Sequence, residues 1–167
     1  MGGSGKSTGL TLKQLEELRK QRRLRKGEPS GSAGRRNVYI SFASEDLDEV
    51  NLLRGQAKNE NSNVEFNDFS LKQPFDSRDS EYIKRGIRER IRQASVTIVY
   101  VSSDAASSRW VDWEVRESLR MGKGVVGMYK GDSPPLFLPD AVRSNRIRVV
   151  PWNQKELSRA VEEAARG

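Results

Sequence analysis

Val38-Tyr39-Ile40-Ser41-Phe42-Ala43-Ser44-Glu45-Asp46-Leu47 decides the fold. Its first five residues read as a short buried strand, and the strand stops abruptly in small and acidic residues. In open α/β sheets, ligands bind where the carboxyl end of a strand opens into such residues. A second stretch, Ser108-Arg109-Trp110-Val111-Asp112-Trp113-Glu114-Val115, reads as a helix start. It carries one carboxylate, Glu114, among tryptophans and valines. A carboxylate on an apolar helix turn is costly unless something uses it. Together the two stretches imply a nucleotide site with one acidic group.

Outward from these stretches, strand-like apolar runs occur at 38–42, 64–66, 96–101, 125–129 and 147–150. Helical periodicity lies between them. Leu47, Val50, Leu53 and Ala57 share one face. Ile83, Ile87, Ile91 and Ala94 form an apolar stripe, as do Val111, Val115 and Leu119, and Leu157, Val161 and Ala165 close the chain. Strands alternating with helices imply right-handed crossovers and a parallel sheet. The expected fold is α/β, a flavodoxin-like doubly wound five-stranded parallel sheet in the order 2-1-3-4-5, with its switch point between strands 1 and 3. The candidate site is therefore built from residues after Phe42 and after Val101. Ser41, Phe42, Ala43, Asp46 and Ser103 lie there. Asp46 can line a ligand or cap the helix at 47–59, and Ser103 and Asp104 can cap the next helix. Trp110 suits core packing or substrate contact. The connection 130–146, with Pro134, Pro135 and Pro139, is expected to be mostly loop, and the stretch from Asn67 to Ser77 is irregular around Pro74.

Composition narrows the chemistry. The 167 residues contain neither cysteine nor histidine. That excludes disulfides, thiolate or imidazole metal ligation, and catalysis by Ser-His-Asp or Cys-His. No apolar run approaches the roughly 20 residues of a membrane span, and no apolar h-region follows Met1-Gly2-Gly3-Ser4-Gly5-Lys6. A cytoplasmic location and no bound metal are expected. The formal charge of +7 is concentrated: residues 1–36 hold ten Lys/Arg and three Asp/Glu, and 37–167 hold twenty of each. The high pI belongs to the N-terminal segment, so a nucleic-acid role for the whole chain loses its main support.

Residues 1–36 form a basic N-terminal extension. Gly5-Lys6-Ser7 invites a phosphate-loop reading, but the full pattern needs a glycine five residues earlier and a preceding strand, and neither is in the sequence. A helix is expected at about 11–26, opened by a Thr11/Gln14 capping box with a Leu10/Leu15 staple. Leu12, Leu15, Leu18 and Arg22 follow helical spacing, and residues 19–26 are densely basic. Residues 27–36 read as a linker. The extension suits a solvated helix or contact with an acidic partner.

Four motifs now carry a resemblance. Tyr39-Ile40-Ser41-Phe42-Ala43 followed by Asp46 resembles the opening strand and loop of TIR domains. Asp68-Phe69-Ser70 through Pro74-Phe75 is similar to the family's BB loop. Ser107-Ser108-Arg109-Trp110-Val111-Asp112-Trp113-Glu114 matches its serine, tryptophan and downstream glutamate, and Gly122-Lys123-Gly124-Val125-Val126 resembles the entry to its fourth strand. The subgroup is the TIR-like proteins of bacterial Thoeris antiphage systems, the ThsB type. The resemblance spans about 37–152, within a domain expected at 37–167.

The resemblance implies cleavage of the nicotinamide–ribose bond of NAD, with NAD as substrate and no cofactor. It implies Glu114 as the catalytic carboxylate and Ser41, Phe42, Ala43, Asp46, Phe75, Ser103 and Trp110 as substrate-binding residues. The products implied are ADP-ribose or a cyclic ADP-ribose-type signal for a separate effector, with self-association through the 68–78 loop. Two rivals remain: a non-catalytic TIR assembly module, and a receiver-like signalling domain. A receiver needs a lysine after strand 5, where Val149-Val150-Pro151-Trp152 supplies none.

Overall fold

The computed structural model describes residues 11–14, 16–17, 36–59, 64–67 and 75–167. The staple, the basic helical run beyond residue 17, the linker up to residue 35 and the loop from Asp68 to Pro74 lie outside the described residues. The chain divides into two compact units, Met1–Gly34 and Arg35–Gly167. In the first, residues 12–14 and 16–17 are helical. The capping box is present: the Thr11 amide donates to Gln14 Oε1 at 2.9 Å, and the Gln14 amide donates to Thr11 Oγ1 at 3.3 Å.

The second unit is a five-stranded parallel sheet in the order β2-β1-β3-β4-β5. Its strands are β1 (Arg36–Ser41), β2 (Val64–Asn67), β3 (Val96–Tyr100), β4 (Gly124–Tyr129) and β5 (Val149–Pro151). Arg36, expected to close the extension, opens β1 instead: it pairs in register with Val64. Its guanidinium also donates to both Glu162 oxygens, at 3.0 and 3.2 Å.

A parallel sheet must be covered on both faces. The helices are α1 (Leu47–Asn59), α2 (Ser80–Gln93), α3 (Ser103–Ala106), α4 (Arg109–Arg120), α5 (Asp140–Ser144) and α6 (Gln154–Arg166). On one face, Val38, Ile40, Val96, Ile98 and Met128 pack with Val50 and Leu53 of α1 and Leu157 and Val161 of α6. On the other, the Ile83, Ile87 and Ile91 stripe of α2 packs with Tyr39 and Trp110. Val111 and Val115 of α4 meet Val99, Val101, Ala141 and Val142 there. The 130–146 connection is irregular up to Pro139 and then forms α5, because Asp140–Ser144 brings Ala141 and Val142 into that cluster.

Local chemistry sets the ends of α4. The Ser108 hydroxyl accepts from the Val111 amide at 3.2 Å. At the other end Gly122 adopts φ +73, and its amide and that of Lys123 donate to Leu119 O at 3.0 Å and Ser118 O at 2.9 Å. This is the two-bond glycine stop that turns a helix directly into the next strand. Gly124, which begins that strand, lies so close to α6 that an added Cβ would sit 2.3 Å from the Ala164 carbonyl oxygen. Backbone cannot yield as a flexible side chain would. Gly124→Ala is expected to cost about 1–3 kcal/mol and to lower the thermal midpoint by several degrees with an unchanged far-ultraviolet spectrum. An unaltered midpoint would show that α6 shifts freely against β4.

Candidate functional site

The switch point between β1 and β3 is bridged by one polar bond. After Ser41 the chain passes through Phe42 and Ala43, both buried, into a single 3₁₀ turn over Ser44–Asp46. Asp46 does not cap α1. Its carboxylate accepts the hydroxyl of Ser102, which follows β3 after Val101. Ser102 Oγ in turn accepts the Ala105 amide at 3.0 Å and so caps α3. The cap expected at Ser103 therefore falls one residue earlier, and Ser103 is the first residue of α3. Asp46 thus ties the exit of β1 to the exit of β3.

The surroundings are acidic. Burial pushes the Asp46 carboxyl above the usual aspartate range. The Ser102 hydroxyl opposes that shift, and Asp104, Glu45 and Glu49 add to it. Burial, helped by Glu49 and Asp46, pushes the Tyr100 phenol up to about 12. Lys130 pairs with Glu49 at 2.7 Å.

Glu114 comes from α4. The helix directs Trp110, Val111, Glu114, Val115 and Ser118 inward. Glu114 is 0 % exposed, and both its carboxylate oxygens are buried. Ser118 Oγ lies 2.8 Å from Thr97 Oγ1 of β3 and donates to the Glu114 backbone carbonyl at 2.8 Å. Toward the N-terminal end of α4 lies an aromatic group. Phe75 meets Trp110 edge-on with centroids 4.9 Å apart, and Trp110 meets Trp113 at 5.9 Å.

Cations surround these rings. Lys84 Nζ is 4.4 Å from the Phe75 centroid and 5.7 Å from that of Trp113. The Arg88 guanidinium lies 5.3 Å from Trp113, and that of Arg109 lies 4.6 Å from Phe75. Arg109 is also ion-paired with Asp76. Such contacts hold rings and cations together with modest energy at exposed sites.

Two clefts open beside this group. One, of about 370 Å³, is lined by Phe75, Ser108, Arg109, Trp113 and Asp140 among others. The second, of about 480 Å³, is lined by Ser103, Ala106, Leu136, Phe137 and Arg143 among others. Neither is lined by Ser41, Phe42, Ala43 or Glu114. Phe42 instead packs in the main core cluster. Of the residues singled out in the sequence, Phe75 and Trp110 touch, Asp46 joins the β3 exit, and Ser103 lines the second cleft. Sequence reasoning missed the clamp of Lys84, Arg88 and Arg109. Its only signal was the i, i+4 spacing of Lys84 and Arg88 on α2. Among the described residues no cluster of acidic side chains is arranged to hold a metal ion, and no helix is long and apolar enough to cross a membrane.

Comparison with known proteins matches this geometry to a family. The sequence model of "Thoeris protein ThsB, TIR-like domain" matches residues 39–134, more than half of the chain. The chain belongs to that family. The match runs from Tyr39 of β1 through α4 and β4, so it contains the strand exits, Glu114 and the aromatic group. No curated protein sequence matches this TIR-like chain. Among solved structures, the TIR domain of the Toll-related receptor TRR-2 from Hydra magnipapillata is similar, with TM-score 0.52 and 18% identity over 78% of this chain and 98% of that one. At that identity the likeness concerns the fold alone. Weaker likenesses are to a Clostridium botulinum CMP N-glycosidase, BcmB, with TM-score 0.43 and 10% identity over 75% of this chain and 98% of that one. The TIR domains of the activated Roq1 resistosome give TM-score 0.42 and 17% identity over 78% of this chain and 84% of that one.

The raised Asp46 carboxyl makes a prediction about acid stability. A folded-state pKa above the unfolded value means that the folded protein binds the proton more tightly. The resulting stabilisation is fully present below the ordinary value of 3.8 and is lost as pH rises through the higher folded value. Asp46→Asn cannot titrate but keeps an acceptor for Ser102. Relative to that variant, the wild-type protein should gain stability as pH falls from neutral toward 3.8. Denaturant melts across this range measure the difference. A constant offset between the two proteins would show that Asp46 titrates alike in both states.

Proposed function

We propose that this TIR-like domain cleaves the nicotinamide–ribose bond of NAD, with Glu114 as the catalytic carboxylate. The observation that carries the reading is the placement of Glu114: an ionisable group with no exposed surface, on the buried face of α4. A charge in such a place costs stability, so its presence there calls for a use. The family membership supports the same residue.

The chemistry suits a chain without histidine or cysteine. Nicotinamide leaves as a neutral base that takes the electron pair of the broken bond, so no strong general acid is required. Positive charge develops on the ribose, as in glycoside cleavage. A fixed carboxylate stabilises that charge and orients the ribose hydroxyls. Water, or a nucleophile within the same molecule, then captures the cation, giving ADP-ribose or a cyclic ADP-ribose-type product. The product would act on a separate effector in bacterial antiphage defence, in the cytoplasm.

Because Glu114 is buried, the reaction requires the Phe75 and Trp110 region to move. Self-association through the 68–78 loop would drive that movement, since Phe75 contacts Lys84 of α2 and Asp76 pairs with Arg109 of α4. The basic N-terminal extension would contact an acidic partner, with an affinity that falls as salt rises.

Purified protein incubated with NAD should release nicotinamide. Glu114→Gln should lower that release by about 10²-fold or more while the melting temperature stays nearly the same. Full activity in the variant would remove Glu114 from the mechanism and favour a non-catalytic assembly module. Activity should also rise faster than linearly with protein concentration. Linear activity from a preparation that light scattering shows to be monomeric would remove self-association from the scheme.

A further inference from the structure

The connection between β4 and α5 leaves two large apolar side chains in water. Leu136 is 89% exposed and Phe137 is 73% exposed. The residues on either side of them are held in place. Pro134, Pro135 and Pro139 each lock a backbone angle. Leu138 packs against the apolar cluster of Val99, Ala141 and Val142. The Pro139 carbonyl accepts the Val142 and Arg143 amides, both at 3.0 Å. The loop is therefore a stiff tip that carries a leucine and a phenylalanine away from the core. Single exposed apolar residues are ordinary, but adjacent ones beside a hollow mark a contact surface.

That hollow is the cleft of about 480 Å³, which Leu136 and Phe137 themselves help to line. The small side chains of Ser103, Ala106 and Ser107 line it too and leave it open. A protrusion and a hollow that share residues are complementary to themselves. Turned about a two-fold axis, a second copy brings its tip to this hollow and receives this tip in its own. The charges agree with that arrangement. Asp140 and Arg143 both line the cleft and pair at 2.6 Å within one copy. A two-fold axis lets the acid of each copy exchange partners with the base of the other. A lipid surface matches less well. Segments that lie on membranes surround their apolar residues with Lys and Arg, whereas this cleft is lined by one acid and one base.

We propose that the 134–138 tip is an interface between two copies of this chain, with Leu136 and Phe137 of each copy seated in the cleft of the other about a two-fold axis. The surface is separate from the 68–78 loop, and the proposal does not depend on NAD cleavage. Two side chains and a cleft rim bury less than the roughly 800 Å² per partner of a standard stable interface. The pair is therefore weak and reversible, and it forms as concentration rises. The prolines offset part of the cost, because a tip already fixed in shape loses little freedom on docking.

The test uses the full chain, which contains no cysteine. Ser133→Cys places one thiol at the exposed start of the tip, and Lys155→Cys places one on the exposed first turn of α6. A short bis-maleimide joins two copies where identical positions approach each other, as they do beside a two-fold axis. Ser133→Cys should crosslink with a yield that rises with protein concentration and exceeds that of Lys155→Cys several-fold. Adding Leu136→Ser and Phe137→Ser to Ser133→Cys should lower that yield by about tenfold, the loss expected of central apolar contacts. The melting temperature should not change, because both side chains are exposed. If Ser133→Cys crosslinks no better than Lys155→Cys, the two tips do not meet and the proposal fails. If the variant with both serines keeps the yield of Ser133→Cys, Leu136 and Phe137 do not make the contact and the proposal fails. If no crosslink forms and the wild-type chain sediments with phosphatidylcholine vesicles while Leu136→Ser/Phe137→Ser does not, the tip is a lipid contact and the two-copy interface is overturned.

Discussion

A parallel sheet hides both of its faces, and in this molecule that requirement determines where every other feature lies. The β1–β3 seam is central, and it cannot be left open to water. On one side α1 and α6 close it with aliphatic side chains. On the other, α2 and α4 share the work, and α4 contributes residues of four kinds: valines, a tryptophan, a serine and a carboxylate. A helix laid over a buried seam turns its whole inner face away from solvent. Glu114 is consequently interior by architecture, whatever its chemistry. The Thr97–Ser118 hydroxyl pair then fixes the register of α4 against β3, so the height of Glu114 above the sheet is set by one short contact a helical turn away.

The aromatic group follows from the same constraint. One turn before Glu114, α4 places Trp110 in the cluster of Tyr39 and the α2 isoleucines. Phe75 and Trp113 complete the cover with edge-on contacts, the arrangement that opposing ring quadrupoles favour. Lys84, Arg88 and Arg109 bring their charges to the faces of Phe75 and Trp113. Phe75 and Asp76 are thereby held by cation–ring contacts and one exposed ion pair. Such contacts are each weak, in contrast to the packed valine and isoleucine layers beneath.

The parts of this structure that were legible in the sequence are those governed by local pattern. β-branched runs such as Val96-Thr97-Ile98-Val99 announce a buried parallel strand, and the isoleucine stripe at 83, 87 and 91 announces the helix that covers it. Strand order followed, because crossover handedness leaves few alternatives. The Thr11/Gln14 box was legible because both partners lie within one turn. What escaped depends on partners distant in sequence. Asp46 looked equally suited to capping α1, yet its partner Ser102 is 56 residues away. For the cap of α3 the sequence offers Ser103 and Asp104, and the structure uses Ser102. Ser102, Ser103 and Asp104 each satisfy the local rule, and Ser102 is the one that also bonds Asp46. Residues 140–144 were hidden by the prolines before them. Their helix depends on Ala141 and Val142 finding an apolar cluster, with the Ala141 amide bonded to Asp112 Oδ1 at 2.9 Å, which local pattern does not reveal.

Candidate site residues divide along the same line. Glu114 stood out because a carboxylate among apolar neighbours contradicts its own helix face, and such a conflict between local chemistry and fold is a mark of function. Phe42 conflicted with nothing, and it packs as an ordinary core side chain. The 18% identical Hydra domain shares the fold, but a shared fold hosts many activities. What this chain does must therefore be argued from particular side chains, first of all from the carboxylate that α4 carries on its buried face, and not from the fold.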